Sequence, residues 1–103
     1  MKELTTKKLR RMLRKGTTFT AEFLGPSRFL STPTKRLVIE NTPTELVSRI
    51  LEGPRENYSV YMDWAYTKAV QYEDRIELLN TRAAYDSPFV KITNIQTLEK
   101  EKQ

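Results

Sequence analysis

A period-two alternation of apolar and polar side chains recurs along this chain, and it constrains the fold more than any other feature. Residues 17–25, TTFTAEFLG, place Phe19, Ala21 and Phe23 on one side of an extended chain and polar residues on the other. Because successive side chains of a strand point to opposite faces, this pattern predicts a half-buried strand. Three further segments are predicted as strands, and these are KRLVIEN (35–41), RIELLNTR (75–82) and FVKITNI (89–95), the last of which alternates in the same way. The chain is therefore expected to build a sheet.

The N-terminal segment follows a helical period instead. Leu9, Met12 and Leu13 fall on one side at 100° per residue, with basic residues on the other. Thr5 is suited to cap the helix at its start, and Gly16 to end it. The sequence thus predicts an amphipathic basic helix before the first strand of the sheet.

A second, shorter helix is predicted over residues 42–53, TPTELVSRILEG. Thr42 or Thr44 could serve as its N-cap, Pro43 fits a first turn, and Gly53 could close it. This helix would lie between the second and third strands.

Residues 57–72, NYSVYMDWAYTKAVQY, fit two periods at once. Their alternation suits a strand, while a heptad spacing that continues to Leu79 suits one helix over 57–80. The abundance of Tyr, Val, Trp and Thr favours strands, because these residues fit a pleated surface. Residues 72–75, YEDR, then predict a turn into the next strand. The single-helix alternative remains open at this point.

Together these elements predict an α+β fold. It has an N-terminal basic helix, a curved antiparallel sheet of about five strands, and one short helix between strands 2 and 3. A small barrel of the OB or SH3-like kind is one form that such a sheet could take. At 103 residues the chain suits a single domain, expected over 1–98, with a solvated tail at 99–103.

The composition excludes several kinds of chemistry. The chain has no cysteine and no histidine, so it lacks thiolate nucleophiles, disulfides and the commonest metal ligand. A cytoplasmic, non-catalytic protein with no cofactor and no metal is expected. An enzyme would instead require a pocket around an acid such as Asp63 or Glu73 with a perturbed pKa. No apolar run reaches the ~18 residues of a membrane span, so no membrane partner is expected.

Positive charge is concentrated near the N-terminus. Residues 1–40 hold ten basic residues against three acidic ones, whereas residues 41–103 hold eight against ten. Six of the basic residues lie in KKLRRMLRK (7–15), and two of them occupy the first helical turn, where the helix dipole disfavours cations. Because these lysines destabilise the start of the helix and bring no evident structural gain, they indicate a function.

The predicted binding surface combines this helix with the loop GPSRFLSTPTKR (25–36). Its cations are Lys7, Lys8, Arg10, Arg11, Arg14, Lys15, Arg28, Lys35 and Arg36. They predict contact with a nucleic-acid backbone, of little base specificity. The alternative is a modulator or inhibitor that docks its basic surface on an acidic patch of a larger protein. Phe29 and Tyr61 are the candidate interface aromatics. DNA, RNA and protein partners are not distinguished by the sequence, and neither is the oligomeric state.

Overall fold

A computed structural model describes residues 2–24, 32–81 and 87–96 of the chain. Within these ranges there are one α-helix, α1 (Thr6–Met12), a 3₁₀ helix (Trp64–Tyr66) and eight strands. The strands are β1 (Lys2–Leu4), β2 (Thr18–Phe23), β3 (Thr34–Asn41), β4 (Glu45–Ile50), β5 (Ser59–Asp63), β6 (Thr67–Gln71), β7 (Ile76–Asn80) and β8 (Ser87–Gln96). They form one sheet in the order β1-β6-β7-β8-β2-β3-β4-β5, and every neighbouring pair is antiparallel.

The predicted fold class is wrong. The described residues form a mostly β structure with eight strands rather than an α+β domain with about five. The OB or SH3-like barrel is wrong as well, because the sheet is open, with β1 and β5 at its two edges. The basic helix exists, but it covers only seven residues and does not make the fold α+β.

The short helix predicted over 42–53 is replaced by a hairpin and β4. The Thr42 backbone N–H donates to the Glu45 carbonyl at 3.0 Å, which closes a tight turn between β3 and β4. The Thr42 hydroxyl accepts from the backbone N–H groups of Thr44 and Glu45 at 3.3 and 3.1 Å. A threonine that could cap a helix is therefore used in a turn, since the same hydroxyl can satisfy either arrangement.

Strand β1 was not predicted, because its sequence carries no strand pattern. Lys2, Glu3 and Leu4 pair with Gln71, Val70 and Ala69 of β6. Three residues with two charges show no usable period, so only the long-range pairing makes them a strand.

The strand interpretation of 57–72 is confirmed over β5 and β6, with the 3₁₀ helix between them. Asp63 caps that helix, and its Oδ1 accepts from the Ala65 backbone N–H at 2.9 Å. The turn predicted at 72–75 is also present, because the Tyr72 N–H donates to the Arg75 carbonyl at 2.8 Å.

The connection from β5 to β6 shows that the sheet is strongly curled. These strands are six positions apart in the sheet order, which would be ~29 Å in a flat sheet at ~4.8 Å per strand. The chain from Asp63 to Thr67 can span at most ~14 Å. The sheet must therefore bend until its two sides approach each other, and this bend creates an inner face.

The core occupies that inner face. Phe19, Val38, Leu78 and Ile92 are each at most 3% exposed. Helix α1 adds Leu9, which is fully buried, and the next turn of chain adds Leu13, also fully buried. The cationic side of α1 is left facing outward, so the packing of its apolar side decides where the positive charge lies.

Candidate anion-binding groove

An open groove of about 560 Å³ lies between α1 and the end of β3. Five of its eight lining residues are basic, and these are Lys7, Arg10, Arg11, Arg14 and Lys15. The other three are Glu40, Asn41 and Thr42, so the described part of the lining has a single acid. The structure thus brings most of the predicted helix cations to one concave surface.

The start of α1 is built as its sequence predicts. The Thr5 hydroxyl accepts a hydrogen bond from the Lys8 backbone N–H at 3.1 Å. Such a cap satisfies one of the free N–H groups of the first turn. There is no acidic residue in that turn, and the lysines therefore face the positive end of the helix dipole.

Asn41 ties the end of α1 to the sheet. Its Nδ2 donates to the carbonyl oxygens of Arg10 and Leu13, at 2.9 and 2.8 Å. The Arg10 Nε lies 3.5 Å from Asn41 Oδ1. These bonds satisfy carbonyls that a helix C-terminus leaves unpaired, and they end the helix at Met12, before the predicted Gly16. Asn41 therefore fixes the position of the groove cations relative to β3.

The groove carries a concentrated positive charge. Among the described residues, Lys7, Arg11 and Lys15 form no ion pair. Their side chains are exposed, and they lie on one side of the molecule. An arrangement of this kind attracts a ligand that carries several negative charges.

Comparison with protein-family models, with curated proteins and with solved structures found no match.

The other predicted site residues are not gathered at the groove. Lys8 is exposed but does not line it. Lys35 is exposed at the opposite end of β3, six residues or ~20 Å from Asn41. Tyr61 is 67% exposed on the edge strand β5. Arg28 and Phe29 lie outside the described residues, as does the tail at 99–103.

Arg36 lies inside the molecule and is only 6% exposed. Desolvation by burial lowers the pKa of its guanidinium. Its Nε has no hydrogen-bond partner among the described residues. The strand alternation contained the signal for this position, because Arg36 is in phase with Val38 on the inner face. By charge alone Arg36 resembles its neighbour Lys35, although the two side chains point to opposite faces of β3.

Asp63, and the acids in and beside the turn at 72–75, have structural roles or lie in solvent. The Asp63 carboxylate caps the 3₁₀ helix, and Asp74 and Glu77 each bond to Arg75, at 2.8 and 2.7 Å. Glu73 is exposed. In the described part of the chain, no three residues of the His, Cys, Asp or Glu types are placed to hold a metal ion. No helix there has the length and apolarity needed to cross a membrane.

Proposed function

We propose that the protein binds nucleic acid through the phosphate backbone, with the groove between α1 and β3 as the contact surface. The observation that carries this proposal is the concentration of five cations around a groove with one acid. Lys7 and Arg11 are four residues apart, which separates their Cβ atoms by about 5–6 Å on a helix. This spacing allows the two side chains to reach neighbouring phosphates of one strand.

The groove favours binding without base readout. The described residues that line it include no aromatic ring on which a base could stack. Contacts from Lys and Arg to phosphate position a protein on a nucleic acid but carry no sequence information. Asn41 and Thr42 add polar groups suited to sugar and phosphate oxygens. The expected activity is therefore a salt-dependent association with little preference for sequence.

A second candidate function is docking on the acidic surface of another protein. It is supported by Tyr58 and Tyr61, which are 57% and 67% exposed near or on the edge strand β5. Exposed tyrosines are enriched at protein interfaces, and an unpaired edge strand can accept another chain. Under this proposal the groove would meet carboxylates instead of phosphates.

Fluorescence anisotropy with labelled single- and double-stranded DNA and RNA, at 50 and 200 mM salt, tests the proposal. The variant Lys7→Ala/Arg11→Ala removes two exposed groove cations. Lys35→Ala/Arg49→Ala is the matched control, because it removes two exposed cations away from the groove. The groove variant should bind roughly tenfold more weakly on every sequence and lower the logarithmic salt slope by about two.

Two results would contradict nucleic-acid binding. One is the absence of binding to any of the four probes at 50 mM salt. The other is an equal loss of affinity in the groove variant and its control. Because both variants remove two positive charges, that result would mean that only the net charge of the protein matters. The protein-docking candidate would then be tested with Tyr61→Ala against a purified acidic partner.

A further inference from the structure

A second concave site lies on the inner face of the sheet. It is a cavity of about 200 Å³, lined by residues of β2, β3, β4, β5, β7 and β8. Most of the lining is apolar, with Phe19, Leu46, Met62 and Ile92 as examples. None of its lining residues belongs to the groove between α1 and β3. The two sites are therefore separate.

The cavity contains a cation, because Arg36 is one of its lining residues. Its 6% exposure leaves little room for hydration of the guanidinium. No described residue forms an ion pair with it, and its Nε has no hydrogen-bond partner among them. Arginine stays protonated at neutral pH, and a buried charge is ordinarily paired. Among the described residues, this cation in an apolar cavity therefore lacks a counter-ion.

The sheet register places one polar neighbour beside this cation. Arg36 lies opposite Ile50, and Val38 lies opposite Ser48, in the β3–β4 pair. Ser48 is therefore diagonal to Arg36, and it is buried and lines the same cavity. A hydroxyl and a guanidinium together suit one small anionic group, surrounded by apolar side chains.

We propose that this cavity binds a small monocarboxylic acid with an apolar chain, whose carboxylate pairs with Arg36. A carboxylate matches the planar guanidinium with two parallel hydrogen bonds. The apolar chain would lie against residues such as Phe19, Met62 and Leu78, which line the cavity. A neutral ligand would leave the charge unpaired, and a polyanion would carry too much hydration into an apolar site.

The cavity volume limits the size of the acid. At about 200 Å³ it is smaller than the ~300–1,000 Å³ of pockets for drug-sized ligands. A medium-chain fatty acid is the appropriate class, and octanoate is the probe. 1-Octanol is the matched neutral compound, because it has the same chain without the charge.

Isothermal titration calorimetry with octanoate and with 1-octanol tests the proposal on the full chain. Octanoate should bind with one-to-one stoichiometry and at least tenfold more tightly than 1-octanol. Arg36→Met keeps an unbranched side chain and removes the charge, so it should lose that preference while it still binds 1-octanol. Arg49→Met, an exposed position on β4, should bind octanoate as the wild type does.

Two further variants exclude the groove as the binding site and allow for misfolding of Arg36→Met. Lys7→Ala/Arg11→Ala should leave octanoate binding unchanged, which excludes the groove as the anion site. Arg36→Lys retains a charge but not the two-bond geometry, and it should bind octanoate several-fold more weakly even if Arg36→Met failed to fold. In addition, octanoate should shift the methyl NMR signals of Leu78 and Ile92.

The proposal would be overturned if octanoate showed no saturable binding below its micellar concentration. It would also be overturned if Arg36→Met and Arg36→Lys both bound octanoate as tightly as the wild type. Loss of octanoate binding in Lys7→Ala/Arg11→Ala would place the anion in the groove and equally contradict it.

Discussion

Arginines of this protein occur in two contrasting surroundings. Arg11 lies on an open, solvent-facing groove among other cations, whereas Arg36 lies on the inner face of a curled sheet among apolar side chains. Water screens the first group and stabilises it without a partner. The second has lost that hydration, and its pKa is lowered for this reason. The same residue type therefore suits a polyanion at one site and a single buried carboxylate at the other.

The largest change in the free energy of unfolding is expected at Leu9, whose side chain packs α1 against the core. Leu9 is fully buried beneath α1. Leu9→Ala should lower the free energy of unfolding by about 3 kcal/mol, through lost burial and the cavity left behind. Urea denaturation followed by the fluorescence of Trp64, the single tryptophan, measures the change. A loss below about 1 kcal/mol would mean that α1 is not anchored as described.

The next largest effect is expected at Arg36, where a substitution should increase stability instead of lowering it. Arg36→Met should raise the free energy of unfolding by about 2 kcal/mol, because it removes a buried charge that no described residue pairs and keeps an apolar volume. Arg49→Met is exposed and should stay within about 0.5 kcal/mol of the wild type. The same denaturation experiment, without added ligand, compares the two. Destabilisation by Arg36→Met would show that the guanidinium has a structural partner.

Asn41 connects the groove to the sheet, and its removal should have a smaller effect. Asn41→Ala leaves the carbonyls of Arg10 and Leu13 without their donor. The expected loss is about 1 kcal/mol of stability, with weaker nucleic-acid binding because the groove cations are less well positioned. Asn41→Asp has nearly the same shape but no Nδ2 donor, and it should be at least as damaging. Unchanged stability and binding in both variants would show that these bonds do not position the groove.

The smallest predicted effect is a gain in affinity for nucleic acid. Glu40 is the one acid among the described residues that line the groove. Glu40→Gln should tighten nucleic-acid binding by about twofold at low salt and less at high salt, as expected for exposed charges. Glu56→Gln, an exposed acid away from the groove, is the control. Anisotropy at the two salt concentrations measures both, and weaker binding by Glu40→Gln would argue against an anionic ligand at this groove.

The sequence predicted those parts of the molecule that depend on neighbours along the chain. Thr5 caps α1 as expected, and the strands predicted within 17–25 and 35–41 correspond to β2 and β3. Each of these predictions rests on contacts within a few residues or on one face of one strand. The positive charge of α1 was visible for the same reason.

Features that depend on distant contacts were not predicted. β1 exists only because β6 pairs with it, and the segment predicted as a helix became β4 because β3 and β5 accept its backbone bonds. Asn41 acts on Arg10 across 31 residues of chain. Arg36 was predicted to join the binding surface because of its charge, although its phase with Val38 in β3 indicates the inner face.

A crossed titration tests most directly the claim that the two cationic sites are separate. Nucleic acid and octanoate would each be titrated into the wild type, Lys7→Ala/Arg11→Ala and Arg36→Met. We expect the groove variant to lose nucleic-acid affinity alone and Arg36→Met to lose octanoate affinity alone. If either variant lost both affinities while it remained folded, the two cationic sites would not be independent, which is the opposite of what the structure indicates.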